Sequence, residues 1–157
     1  MKLWQEIQKL LITQNAKANG GWIRTPTVLQ MENTECGAAS LSIILQHYGK
    51  YVPLTQLREL CGVSRDGSDA ANLLLAGKKL DLKGNGYKKS LEALRKMKIP
   101  VILFWEFNHF LILEGFVSDR IMLNDPAVGP RSVSEEEFQT SYTGIAIRFE
   151  PDQSFEP

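Results

Sequence analysis

Apolar residues at Leu3, Trp4, Ile7, Leu10 and Leu11 recur at helical spacing and predict a short amphipathic helix over residues 2–13. Asn19-Gly20-Gly21 breaks that pattern, and Thr25-Pro26 opens the next stretch in extended form. The strongest helical signal runs from Glu35 to Tyr48. Its apolar residues, Ala38, Ala39, Leu41, Ile43, Ile44, Leu45 and Tyr48, cover nearly the whole circumference, so this helix is expected to be central and buried. Asn33 or Thr34 is the expected cap and Gly49 the stop. Further helices are predicted over Leu54–Leu60, ended by Gly62; from about Ser68 to Lys79, capped by Ser68 or Asp69; and, past Gly84 and Gly86, from Ser90 through Lys96.

The texture then changes. Pro100–Glu106, Asn108–Phe116, Arg120–Asn124 and Gly144–Glu150 read as strands, rich in Val, Ile, Leu and Phe with turn residues between them. Ser134 and Glu137 form a capping box for one more short helix near Glu135–Thr140. Helices first and strands second, without regular alternation, predict an α+β domain rather than a doubly wound sheet. The expected division is an N-terminal extension over residues 1–24, one domain over 25–150 and a tail over 151–157.

Composition narrows the function. A chain of 157 residues suits one ordinary domain. Lys+Arg and Asp+Glu both total 18, so no bulk basic field points to nucleic acid. Two cysteines argue against a disulfide-built secreted domain, and with only two histidines and no C-x-x-C pair a structural zinc site is barely available. No phosphate loop of the G-x-x-x-x-G-K-[ST] type occurs. No cofactor or metal is expected. The stretch from Ile102 to Phe116 carries Glu106, Asn108, His109 and Glu114 and falls short of the roughly 20 apolar residues a membrane span needs, so it reads as buried strand. Without a signal-peptide pattern at the N-terminus, the expectation is a soluble, cytoplasmic chain. The first helix is expected to pack on the domain or a neighbour, since it lacks the Lys/Arg-rich face of a membrane-surface helix.

Cys36 stands at the predicted start of the central helix, where backbone N–H groups and the helix dipole favour a thiolate. Gly37 beside it allows close approach of backbone or substrate. Alone, such a cysteine reads as a small buried hydrophobe. His47 lies eleven residues down the same helix, about 16 Å away at 1.5 Å per residue, and reads as a cation at the helix C-terminus. His109, on a greasy strand, is the remaining candidate base. If the following turn is a three-residue loop over 117–119, His109 faces position 127, and Asp125 is one diagonal place away on the same face. A two-residue turn would put the pair on opposite faces. A carboxylate on the ring would fix its tautomer, the orienting role in a nucleophile–base–orienter triad. Gln30, six residues before Cys36, could join the Cys36 backbone N–H in stabilising an oxyanion, though alone it reads as a surface glutamine.

Gln30-Met31-Glu32-Asn33-Thr34-Glu35-Cys36-Gly37, then Asn108-His109-Phe110, then Asn124-Asp125-Pro126-Ala127 together resemble the bacteriocin-processing cysteine peptidases, the N-terminal domains of peptidase-containing ABC transporters. Gly62-Val63-Ser64-Arg65-Asp66-Gly67 resembles a loop of the same family, and the likeness covers roughly residues 25–150. It implies a papain-like fold with Cys36 as nucleophile, His109 as base and acid, Asp125 as orienter and Gln30 in the oxyanion hole. It also implies cleavage of bacteriocin or lanthipeptide precursors after Gly-Gly or Gly-small, and recognition of an amphipathic leader helix in an apolar groove. The transmembrane and ATPase parts of such a transporter are not in this sequence, which implies either an excised domain or a stand-alone enzyme. Trp105 and Phe107 are expected either as walls of a channel too narrow for a Cβ or as ordinary core aromatics. Cys61 is expected to be a packed thiol. Gly20-Gly21 resembles the substrate junction but reads as a flexible joint. Rival readings are a leader-binding module that does not cut, which would be expected to lack Cys36 or His109, and a papain-like acyl transferase.

Overall fold

The computed structural model describes residues 2–6, 21–62 and 69–157. Residues 2–6 are helical. The rest of the expected first helix, Gly20 of the glycine pair, Val63–Gly67 of the resembling loop and Ser68 lie outside the described residues. Among these, a 3-10 turn over Asn33–Glu35 leads into α1 (Cys36–His47), followed by α2 (Leu54–Leu60), α3 (Ala70–Lys79), α4 (Leu91–Leu94) and α5 (Glu135–Ser141). The strands are β1 (Leu82–Lys88), β2 (Val101–Trp105), β3 (His109–Val117), β4 (Arg120–Asp125), β5 (Gly129–Ser134) and β6 (Tyr142–Pro151). They form one sheet in the order β1-β6-β2-β3-β4-β5. Every neighbouring pair is antiparallel.

The sheet is covered on both faces. Ile102, Phe110, Ile112, Ile147 and Phe149 pack against α1, α2 and α3. On the opposite face Leu103, Leu111, Leu113, Leu123 and Ala146 pack against Leu91 and Leu94 of α4 and Phe138 of α5. Helix α1 is buried from Cys36 through Leu45, as its all-round apolar pattern requires. Asp69 caps α3, accepting from the Asn72 N–H at 2.8 Å, and Ser90 caps α4. The capping box of α5 is complete. No helix among the described residues is long and apolar enough to cross a membrane.

Three expectations need correction. Neither Asn33 nor Thr34 caps the central helix: both belong to the 3-10 turn, and the N-cap is Glu35, whose side chain does not cap it. Two strands, β1 and β5, stand where none was expected. The turn between β3 and β4 has two residues, Ser118 and Asp119, because Val117 pairs with Arg120. By itself that register would put His109 and Asp125 on opposite faces. A β-bulge repairs it: between Leu113↔Leu123 and Gly115↔Met122, strand β3 advances two residues while β4 advances one. The extra residue is Glu114. Beyond it the ladder runs Ile112↔Asn124, the register that a three-residue turn would have set.

The bulge also moors the chain that enters the domain. The Glu114 carboxylate accepts from the Thr25 N–H at 2.6 Å and the Thr25 hydroxyl at 2.7 Å, and the Glu114 carbonyl accepts from the Ile23 N–H at 2.8 Å. Gly115, at φ 143°, lies so close to this segment that a Cβ would fall 2.1 Å from the Gly21 carbonyl oxygen.

Candidate active site

Asn124-Asp125-Pro126, at the end of β4, touches most parts of the site. Asn124 donates to the Thr25 hydroxyl at 2.9 Å and the Pro26 carbonyl at 3.1 Å. Asp125 meets the imidazole of His109. The Pro126 carbonyl accepts the Gln30 N–H at 2.8 Å. One tripeptide thus sets both the segment that carries Gln30 and the partner of the ring.

His109 is the first residue of β3, after a tight hairpin in which Glu106 and Phe107 both take left-handed φ. Its Nε2 lies 2.6 Å from Asp125 Oδ1, and Cys36 lies near enough to act on the charge of the ring. With Nε2 on the carboxylate, Nδ1 is the nitrogen left for the thiol. Burial disfavours the charged ring, but the hydrogen bonds and negative charge of Asp125 and Cys36 outweigh it and push His109 up to about 9. Asp125 moves the other way. Burial raises it, and the His109 bond, the Ala127 N–H and the charges of His109 and Arg131 together hold it below the usual carboxylate value. The arrangement favours an imidazolium facing a carboxylate on one side and sulfur on the other.

Cys36 opens α1 and is 6% exposed. The residue before it is a buried carboxylate with two tasks. Glu35 accepts the Met31 N–H at 2.9 Å and pairs with Arg58 of α2 at 3.2 Å. The loop between Gln30 and Cys36 is thereby closed on itself, while its first peptide is pinned to Pro126. The Gln30 side-chain oxygen is buried and has no hydrogen-bond partner among the described residues.

Trp105 and Phe107 part company. Trp105 pairs with His109 across β2 and β3 and is buried, its ring 5.5 Å from that of Phe138 and under the Arg131 guanidinium at 5.7 Å. Phe107, at the hairpin tip, is 74% exposed. His47 does not reach the site, and burial pushes it down to about 4, so near neutral pH it is uncharged rather than the helix-end cation expected of it. Cys61 is a fully buried free thiol that burial pushes up to about 11. Gly21 lies against Gly115, six residues along β3 from His109.

Arg131 also belongs to this cluster, although no motif or period in the sequence marks it. Its Nε and Nη2 both reach Asp125 Oδ2, at 3.2 and 3.1 Å. The signal existed in the register: opposite Leu123 on β5, Arg131 stands diagonal to Asp125 on one face. Pro130 and the glycine before it concealed the strand. A proline is tolerated there because β5 is an edge strand.

The Peptidase C39 family profile matches residues 24–154. The colicin V secretion/processing ATP-binding protein CvaB of Escherichia coli is 35% identical over 133 residues, which is 85% of this chain and 19% of that protein. The lactococcin-G-processing and transport ATP-binding protein LagD of Lactococcus lactis is 27% identical over 136 residues, again 19% of its length. The chain therefore spans about a fifth of these relatives. Among solved structures, a double glycine motif protease from an AMS/PCAT transporter, in complex with the leader peptide, is 47% identical with a TM-score of 0.79, covering 82% of this chain and 92% of that one. The peptidase domain of Streptococcus ComA is 28% identical with a TM-score of 0.76, over 80% of this chain and 97% of that one.

Proposed function

This chain belongs to the peptidase C39 family, and from that premise we propose that it cleaves precursor peptides on the carboxyl side of a double glycine. It is a cysteine peptidase of papain-like fold. In the proposed reaction Cys36 thiolate attacks the carbonyl carbon of the second glycine. Gln30 and the Cys36 backbone N–H receive the oxyanion. The His109 imidazolium gives its proton to the leaving amine as the C–N bond breaks and a thioester remains. His109, now neutral, takes a proton from water as it attacks the thioester, and the leader carboxylate leaves with the thiolate restored. Asp125 keeps the ring oriented throughout.

The observation that carries this reading is the 2.6 Å contact of His109 with Asp125, on a ring whose charge a cysteine at a helix start also favours. Phe107, exposed at the hairpin tip two residues before His109, is the proposed wall that excludes side chains from the channel, with Trp105 the proposed support of the site. The precursor is proposed to be a bacteriocin or lanthipeptide whose leader forms an amphipathic helix, and cleavage is proposed to be coupled to export at the cytoplasmic face of the membrane by an ABC transporter.

Incubation with a leader peptide ending in Gly-Gly, read by mass, tests the proposal. Cleavage after the second glycine, lost after iodoacetamide treatment, is the expected result. Binding without cleavage, or incorporation of an added amine, would overturn it. A leader with valine as the second residue should not be cut, and undiminished cleavage would refute the narrow channel.

A further inference from the structure

We infer that Arg131 is a positioning residue for this hydrolysis, locking the Asp125 carboxylate in the orientation that holds the His109 ring against Cys36. The inference rests on the reading that Cys36 and His109 carry the reaction.

The two oxygens of Asp125 have separate duties. Oδ1 takes His109 Nε2 at 2.6 Å and the Ala127 N–H at 2.9 Å. Oδ2 takes two nitrogens of one planar guanidinium, at 3.2 and 3.1 Å. A carboxylate held this way cannot rotate about its Cβ–Cγ bond without giving up contacts on both sides. Arg131 is itself held. Its guanidinium lies over the Trp105 ring, Trp105 is wedged against Phe138, and Trp105 pairs across the ladder with His109. The contacts form a closed circuit from imidazole to carboxylate to guanidinium to indole and back to the strand that bears the imidazole. Without Arg131, Oδ2 has no other donor among the hydrogen bonds described, and only the contacts on Oδ1 are left to hold the carboxylate toward the ring.

Besides each other, the groups that act on the pair among the described residues are Cys36 from α1 on His109 and Arg131 from β5 on Asp125. Glu137 of α5 lies near enough to feel the charge of Arg131. Lysine at 131 would return the charge but not the two-pronged contact or the stacking. Arg131 is one-third exposed, and its removal should leave the packing of the sheet intact.

Two variants test the assignment. Arg131→Gln keeps length and stem but loses the charge, and Arg131→Lys keeps the charge but loses the fork. For each, kcat and KM are measured on a Gly-Gly leader peptide. Separately, the rate of Cys36 alkylation by iodoacetamide is compared at about pH 6 and pH 9, which requires no peptide. For Arg131→Gln, kcat should fall on the order of tenfold with KM within about twofold. The ratio of alkylation rates, pH 6 over pH 9, should fall several-fold, because a ring that has lost its anion no longer stays charged beside the sulfur. Arg131→Lys should recover part of both effects. Unchanged kcat in both variants would overturn the inference. So would a loss of kcat that tracks lost thermal stability while the alkylation ratio stays as in the wild type. If the wild-type protein fails to cut the peptide, the functional reading falls, and the alkylation ratios still decide the role of Arg131.

Discussion

Two cysteines and two histidines sit in this molecule, and one of each is at the site. Their environments separate them more sharply than their sequence positions do. Cys61, buried and pushed up to about 11, stays a thiol at any pH where the protein is useful. Native protein treated with iodoacetamide near neutral pH should gain one adduct, on Cys36; two adducts by mass would contradict this assignment. The histidine–carboxylate pair should show in stability as well as rate. His109 sits at about 9 against an ordinary 6.5, so its contribution to folding is full below about pH 6.5 and fades as pH rises through 9. Asp125 lies below its ordinary 3.8, so its contribution is present above about that pH and is lost in stronger acid. The Tm difference between wild type and Asp125→Asn should therefore be widest between about pH 4 and 6.5 and should narrow by pH 9.5. A constant gap would show that the pair is not charged in the folded state. The same variant should lose at least about a hundredfold in kcat, since the asparagine amide can hold the wrong tautomer.

At the level of elements, the sequence was most readable where a single period dominates. Helix α1 and strands β2 and β3 were plain because their apolar residues leave no second interpretation. The strands that escaped notice were disguised by residues chosen for other reasons. Gly84 of β1 looks like a breaker, yet a Cβ there would come within 2.4 Å of the Phe149 ring, so glycine is what leaves room for that ring on the face of β1. Pro130 hid β5, and with it Arg131. The diagonal between His109 and Asp125 was anticipated through a turn of the wrong length, because a bulge has no signature in hydrophobic alternation. Glu114, a carboxylate inside a greasy strand, was the visible trace of it. That bulge has a measurable consequence. Gly115→Ala would place a methyl against the Gly21 carbonyl at an unfavourable φ, and should cost about 2–4 kcal/mol in urea unfolding. It should also expose residues 21–30 to proteolysis. A variant as stable and as resistant as the wild type would show that this segment is not seated on the bulge.

Over the whole molecule, the packing around Phe149 and the proposed catalytic residues lie at different ends of β6. Phe149 is buried between β1 and α3, whereas Tyr142, seven residues earlier on β6, pairs with Trp105 beside the site, roughly 20 Å away at 3.3 Å per residue. Phe149→Ala should cost about 3–5 kcal/mol, since Gly77 and Gly84 around it have no side chains to fill the void. The folded fraction should keep its kcat, and a parallel loss of kcat would mean that the two ends communicate. At the catalytic end the economy is different. Residues 124–126 grip the entering chain, the imidazole and the peptide of Gln30 at once. Loosening that tripeptide would therefore disturb the proposed base and the proposed oxyanion donor together, with the sulfur itself left unaltered.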